Sequence, residues 1–465
     1  MTKPFTIDQT WLRCIACGHK ADLLDERKFQ CPLCGGLYDV EHDFQGLYSG
    51  KNFTFGYLTR MFDLRYGQAN CFALKNAIHR SGIWRFKELV MPYLPDEHIV
   101  TLGEGNVPIV QAGRHLREWV GLDDLWLILE GMTPTGSFKD FGGTVMMSIA
   151  KAAGIKAVGC ASTGDTSAML AAYAGAAGLD CVVVLPEGKV TPAQLAQPLV
   201  HGAKVITIPG VFDECMRVVK ELVNQGRIFP GNSLNPTRIE GHQATVFLLA
   251  QFFGWELPDW IALPVGNGSN CSSVGKAMRT MKQLGFEGKT SQILGCQSAA
   301  AYPLAASFDR TVREQLGKME NVILSMVGGS PFTEDDWRQN YVPQDEVGET
   351  NATAALIGKP VSWQKVIREI TQSNGQMNIA PEALLNEAVG ICGRDGYFVC
   401  PQTGTALAGV KLAVQNGIIR KGARVAVVST ANGLKFTESA AKDLEPTIIR
   451  AKTCETEEVA DIIGV

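Results

Sequence analysis

The chain has 465 residues, 46% of them apolar and 19% charged, with a formal net charge of −4. That length suffices for two or three domains around a large core, and the near-neutral charge gives no general drive toward nucleic acid or an anionic membrane surface. No apolar run approaches the roughly 18 residues of a bilayer span, and the opening residues lack the apolar core of a secretory signal, so a cytoplasmic protein with no nucleic-acid or membrane partner is expected.

Two close cysteine pairs come first, Cys14-Ile15-Ala16-Cys17 and Cys31-Pro32-Leu33-Cys34. Two such knuckles with a short arm between them supply four thiolates, the ligand set of a structural zinc ribbon. Gly18 and Gly35 follow the pairs directly, where the turn needs a permissive backbone. A redox role explains one pair but not its duplication at this spacing. A segment of ~30 residues buries too little core to fold without a staple. Residues 1–45 are therefore assigned to a ribbon holding zinc on Cys14, Cys17, Cys31 and Cys34. The chain has 13 cysteines, an odd number, and those beyond the ribbon are mostly scattered singly through apolar segments such as those of Cys160 and Cys181. They read as reduced, buried thiols.

From the ribbon to about Tyr93 the residues read as short helices wrapping the body. His42, His79 and His98 have no partner at metal spacing and are taken as structural. Leu125–Leu129 is a continuous apolar run, as expected of a strand buried on both faces. It delivers the chain to Thr135-Gly136-Ser137-Phe138-Lys139-Asp140-Phe141-Gly142-Gly143. Thr135 and Ser137 are helix N-cap candidates, which puts Lys139 in or near a helix's first turn. The helix N-terminus is already partially positive, and apolar, electropositive surroundings lower a lysine's pKa and free its amine for attack. The competing reading is a surface lysine paired with Asp140.

Strands and helices then alternate. Ala157–Ala161 reads as a strand, Ser162–Thr166 as a loop, Ser167–Ala177 as a helix and Cys181–Leu185 as the next strand, one right-handed βαβ unit. A helix over 191–200, a strand over 204–208 and a helix over 212–225 follow. Trp260–Val265 is a strand entering a glycine loop and a helix that begins near Ser272. Ile293–Cys296 and Arg424–Val428 are further strands, and the segment from about Tyr302 to Asn374 reads as less regular helices and loops. In open α/β sheets ligands bind beyond the carboxyl ends of strands, and the distinctive motifs all lie there. Gly266-Asn267-Gly268-Ser269-Asn270 offers close backbone approach and a helix N-terminus to a phosphate. A dinucleotide fingerprint fails at Cys271, its third glycine position, and no acidic residue stands at a strand end about 20 positions on to hold a ribose. A purely structural turn is the alternative.

Ser137-Phe138-Lys139-Asp140 resembles the cofactor-lysine motif of threonine synthases, pyridoxal-phosphate enzymes of fold type II. The resemblance extends through Thr101–Gly105, Gly159–Ser167, Asn232–Gly241, Pro264–Asn270 and Val428–Lys435, in the family's order. It implies a two-lobed α/β fold with parallel sheets, a large cofactor-binding domain over 46–134 and 233–465, and a smaller inserted domain over 135–232. It further implies pyridoxal 5′-phosphate on Lys139 as a Schiff base, its phosphate on Gly266, Asn267, Gly268, Ser269 and Asn270, and its pyridine nitrogen on Thr430. Asp165, where many members have Asn, would face the cofactor ring and its O3′. Ser162, Thr163, Thr166, Ser233 and Arg238 would meet the substrate, O-phospho-L-homoserine, with Lys189 a weaker candidate. A salt bridge to Glu240 is the competing role for Arg238, and capping of the 167–177 helix the competing role for Asp165. Gln402 and Asn432 stand where relatives have His. The implied activity is conversion of phosphohomoserine and water to L-threonine and phosphate by a homodimer. A cysteate-synthase-like β-replacement enzyme, a threonine dehydratase and a non-enzymatic paralogue are the alternatives; an intact Lys139, glycine loop and Thr430 argue against the last.

Overall fold

Apolar runs that alternate with helices build two parallel sheets and, ahead of them, a small antiparallel one. The computed structural model describes residues 3–26, 28–48, 54–69, 77–162, 164–188, 192–318 and 332–438, with Thr456 and Ile462. β1 (Thr10–Cys14), β2 (Lys20–Asp22) and β3 (Tyr38–His42) form the antiparallel sheet in the order β2-β1-β3. Gly18 and Gly35 turn the chain after each cysteine pair at φ 74° and 71°, a region that favours glycine. α1 (Phe44–Tyr48), α2 (Phe55–Ala69) and α3 (Lys87–Val90) then pack onto the body, with Phe62, Trp84 and Phe86 wholly buried.

β4 (Ile109–Gln111), α4 (Arg114–Val120) and β5 (Leu125–Leu129) open the large sheet. α5 (Lys139–Ala152) leads away from it. A second sheet follows: β6 (Ala157–Ala161), α6 (Asp165–Ala177), β7 (Asp180–Pro186), α7 (Pro192–Val200), β8 (Lys204–Ile208), α8 (Phe212–Asn224) and β9 (Phe229–Pro230). Its strand order is β8-β7-β6-β9, all parallel. α9 (Thr237–His242) and α10 (Ala244–Phe252) bring the chain back. β10 (Trp260–Pro264), α11 (Ser269–Gln283), β11 (Gln292–Ser298), α12 (Pro303–Lys318), α13 (Glu334–Asn340) and α14 (Trp363–Gln372) come next. β12 (Gln376–Ala380), α15 (Glu382–Arg394), α16 (Pro401–Gln415) and β13 (Val425–Ser429) complete the large sheet. Its order is β12-β11-β10-β13-β5-β4, parallel except where β4 meets β5. The central strands β10 and β13 are buried along their whole length, the environment that selects their apolar runs.

Two expected helix starts shift. α6 begins at Asp165 rather than Ser167, because Gly164 takes the cap position and Asp165 complements the positive end of the helix. α11 begins at Ser269 rather than near Ser272, directly on the left-handed Gly268. The 302–374 segment is more regular than its sequence suggests, with α12, α13 and α14 in it; residues 319–331 lie outside the described set.

Two packing features position the site. α5 and α9 cross at glycines: a Cβ on Gly241 would overlap the Phe141 carbonyl, and one on Gly142 would lie 2.7 Å from the Arg238 carbonyl oxygen. The small antiparallel sheet is fastened to α11 and α14. Lys276 donates to the Val40 carbonyl at 2.6 Å, and Lys365 to the Tyr38 carbonyl at 2.6 Å. Asp39 accepts from Lys365 at 2.8 Å and Arg368 at 2.7 Å. Burial alone would raise the Asp39 pKa, but Lys365 and Arg368 outweigh it and hold the carboxyl well below its usual range.

Candidate active site

Lys139 is the first residue of α5, and no side chain caps that helix. The expected caps act differently. Thr135 donates through its backbone N–H and hydroxyl to Asp140, at 2.8 and 2.5 Å, and the Ser137 hydroxyl is buried without a partner. Asp140 is thus engaged with Thr135, which removes it as the surface partner of Lys139. The stretch is stitched to the end of β13: the Phe138 N–H donates to the Thr430 carbonyl at 2.8 Å, and Ser137 pairs with Ala431. The Lys139 amine lies 3.7 Å from the centre of the Phe138 ring. Lys139 keeps some exposure, yet desolvation of its amine, aided by the charge of Arg238, brings its pKa down to about 7. Asp165 and Glu130 oppose the shift.

Beyond β10, Gly268 sits at φ 88°, and a Cβ there would strike Val366 at 2.5 Å. The loop is pinned from outside by the N–H groups of Ser362 and Val361, which donate to the Asn267 backbone and side-chain oxygens at 2.9 and 3.3 Å. Ser269 and Asn270 start α11, whose first turn carries no acidic residue. Asn270 is 5% exposed, and neither of its amide atoms has a hydrogen-bond partner. Unpaired amides and helix N–H groups in one glycine-lined turn form an anion cradle. Beyond β13, the Thr430 hydroxyl meets the Cys400 sulfur at 3.5 Å.

Arg238 is 1% exposed. One of its nitrogens donates to the Gly231 carbonyl at 3.1 Å, while Nε and Nη2 have no partner. Burial lowers its pKa to about 10, so it remains a cation at neutral pH. The competing salt bridge to Glu240 is absent among the described residues: Glu240 instead binds Lys276, His42 and Gln243. Ser233 is half-buried in the turn between β9 and α9, and the Asn232 amide clips that turn to Ala161 at the end of β6 through two hydrogen bonds. Ser162 and Thr166 are half-buried around the start of α6; Thr163 and Lys189 lie outside the described residues. Asp165 is the first residue of α6 rather than its cap. Asn432 has turned to local work, capping the 433–436 turn by accepting from the Leu434 N–H at 3.0 Å. Gln402, by contrast, is 4% exposed with both amide atoms unpaired.

Sequence reasoning missed three nearby groups. Glu130 ends β5's apolar run and is fully buried, accepting from Thr245 at 2.5 Å on one oxygen and unpaired on the other. Burial raises its pKa to about 8, against the Thr245 hydrogen bond and Lys139. An acid closing a wholly apolar strand was the available signal. His242 packs on Phe138 with ring centres 4.9 Å apart, and burial, then Arg238 and Lys139, hold its pKa well below the usual value. Lys435 joins the site through Asp165, at 3.2 Å.

Outside this cluster, the sulfurs of Cys14, Cys17, Cys31 and Cys34 all lie within 4.8 Å of one another, with closest separations of 3.4, 3.5 and 3.6 Å. No helix among the described residues is long and apolar enough to cross a membrane.

A near-neutral lysine, an anion cradle at a helix N-terminus and a hydroxyl beyond a third strand, set between two parallel sheets, define a pyridoxal-phosphate enzyme. The family described as pyridoxal-phosphate dependent enzyme matches residues 100–431. Threonine synthase of Methanocaldococcus jannaschii is 32% identical over 437 residues, covering 94% of this chain and 95% of that protein. The chloroplastic threonine synthase 2 of Arabidopsis thaliana is 34% identical over 410 residues, covering 87% and 73%. The fold of Escherichia coli threonine synthase superposes with a TM-score of 0.64 at 17% identity, over 97% and 94% of the two chains. The chain belongs to the threonine synthases of the pyridoxal-phosphate dependent enzyme family.

Proposed function

We propose that the protein converts O-phospho-L-homoserine and water to L-threonine and phosphate, using pyridoxal 5′-phosphate carried on Lys139. One observation supports the substrate above all others. Beside Lys139 lies a second anion site, the buried and half-paired Arg238, separate from the cradle that begins α11. A cofactor phosphate needs one such site; a phosphorylated substrate needs the other.

The donor set suits the cofactor. The unpaired Asn270 amide and the first N–H groups of α11, with Gly266, Asn267, Gly268 and Ser269, would hold its phosphate, and the Thr430 hydroxyl its ring nitrogen. When bound, the cofactor supplies the electron sink for carbanion chemistry at the substrate's Cα and Cβ. The chain's residues do the rest. Lys139, released when the substrate amine takes its place, moves protons at Cα and Cβ, work matched to an amine whose pKa is about 7. Arg238 and Ser233 bind the substrate phosphate and take up charge as it leaves Cγ. Ser162, Thr163 and Thr166 orient the amino-acid end, and Asp165 faces the reacting ring.

Borohydride reduction of the yellow holoenzyme followed by peptide mapping should place the cofactor on Lys139, and phosphohomoserine should be turned over while unphosphorylated homoserine is nearly inert. Fixation on another lysine would overturn the site; turnover of phosphoserine or threonine in place of phosphohomoserine would overturn the substrate.

The same reading extends to zinc on the four ribbon thiolates, whose sulfur separations suit a tetrahedron of Zn–S bonds about 2.3 Å long. A smaller lobe over 135–232 and a cytoplasmic homodimer complete it; the mass of the protein in solution tests the dimer.

A further inference from the structure

Lys435 has no part in the chemistry above, yet it makes three polar contacts across the site. It lies in the 3-10 turn Gly433–Phe436, just beyond β13 of the large sheet. Its ammonium donates to the Gln197 side-chain oxygen on α7 at 2.7 Å and to the Thr135 carbonyl at 2.8 Å, and lies 3.2 Å from the Asp165 carboxylate at the start of α6. The Gln197 amide donates to the same Thr135 carbonyl at 3.2 Å. The Lys435 side chain is 16% exposed and that of Asp165 10%. An ammonium has three protons, and here they engage one residue of the lysine stretch and two of the four-stranded lobe. The space is kept for it: a Cβ on Gly136 would lie 3.1 Å from the Lys435 stem, and Asn432 caps the turn that aims it.

We propose that Lys435 is a positioning residue that latches the four-stranded lobe to the lysine stretch and sets the charge of Asp165 toward Lys139. The inference rests on the cofactor reading above. The field of Asp165 reaches Lys139 on α5 and Cys400 ahead of α16, so a cation that pairs with it moderates what both feel. Asp165 is one of two carboxylates whose field reaches Lys139, the other being the buried Glu130, with Arg238 as the opposing cation; of the two, Asp165 is the one Lys435 pairs with. With Lys435 removed, two consequences separate. The start of α6 and the middle of α7 lose their tie to the large lobe, and the negative charge of Asp165 is left uncompensated beside the cofactor linkage, favouring its protonated form.

The experiment compares wild type, Lys435→Met, Lys435→Arg and the Lys435→Met/Asp165→Asn pair as holoenzymes, by hydrogen–deuterium exchange and by pH titration of the cofactor's visible band. In Lys435→Met, exchange over α7 and the first turn of α6 should rise by about tenfold or more, and the titration midpoint should move up by about half a unit to one unit. Adding Asp165→Asn should return the midpoint toward wild type and leave the fast exchange in place. Lys435→Arg should hold the midpoint and partly restore protection. Unchanged exchange over α7, or a lowered melting temperature with an unmoved midpoint, overturns the proposal. A wild-type protein with no visible band overturns the cofactor reading instead, and the exchange arm still decides whether the latch exists.

Discussion

On the proposed reading Lys139 and Arg238 carry most of the site's chemistry, and each is poised by what surrounds it. Lys139 has a pKa of about 7 because burial and then Arg238 disfavour its charged form. Above that pH its amine is neutral and nucleophilic, so the rate at which apoenzyme takes up pyridoxal phosphate should climb between about pH 6 and about pH 8 and then level off. The linked stability runs the same way. Below about 7 the lysine is protonated whether folded or not, and the burial penalty is fully present; as pH rises toward 10.5 the unfolded chain holds the extra proton and the penalty is relieved. Arg238 is poised by lacking an acid. A charged hydrogen bond contributes roughly 1.5–3 kcal/mol, so Arg238→Ala should lower kcat/KM for phosphohomoserine by about tenfold to more than a hundredfold while the cofactor spectrum persists. Loss of bound cofactor with unchanged selectivity would mean that the two phosphate sites are interchanged. The sequence left Arg238 and Glu240 as possible partners because it shows only that they are neighbours. Two positions apart on a helix they cannot face each other, and a view of α9 is needed to see that Glu240 turns to Lys276 and His42.

Among the elements, the loop ahead of α11 is held at Gly268. Gly268→Ala would force a Cβ onto Val366 from a left-handed backbone, a conformation that costs roughly 1–2 kcal/mol for other residues before any clash. The variant should lose cofactor on dialysis far faster than wild type while Lys139 remains able to react with free pyridoxal phosphate; retention equal to wild type would move the phosphate elsewhere. The strands read most easily from sequence were those with unbroken apolar runs, β5, β6, β7 and β10. β12 was invisible because Gln376 and Asn378 interrupt its pattern on a half-exposed sheet edge. α16 was missed for the opposite reason. It is buried on nearly every side, so it shows no periodic face, and its glycines answer to close neighbours instead: Gly404 to the Leu385 carbonyl and Gly409 to Cys296.

At the scale of the molecule, the alternation of strands and helices made two parallel sheets legible, but not the order of their strands. β5 lies beside β13, nearly the whole catalytic chain later, because only the finished core decides which apolar runs meet. The attachment of the small antiparallel sheet was equally hidden, since Asp39 finds Lys365 and Arg368 only in the folded chain. Purified protein made with ample metal should contain about one zinc per chain, and chelation or Cys→Ser at any of the four positions should lower the melting temperature more than it alters the cofactor spectrum. Metal-free protein of unchanged stability would leave the four thiols as a cluster without that role.

The crossing of α5 and α9 has one more implication. Gly142 and Gly241 bring the two backbones into direct contact, and backbone against backbone does not yield as two flexible side chains would. Lys139 rides on one helix and Arg238 on the other, so the gap between amine and guanidinium is a fixed gauge. On the proposed reading a substrate is measured against it: a phosphate held on Cγ spans the gap, and one held on Cβ falls short of the arginine and leaves it unpaired.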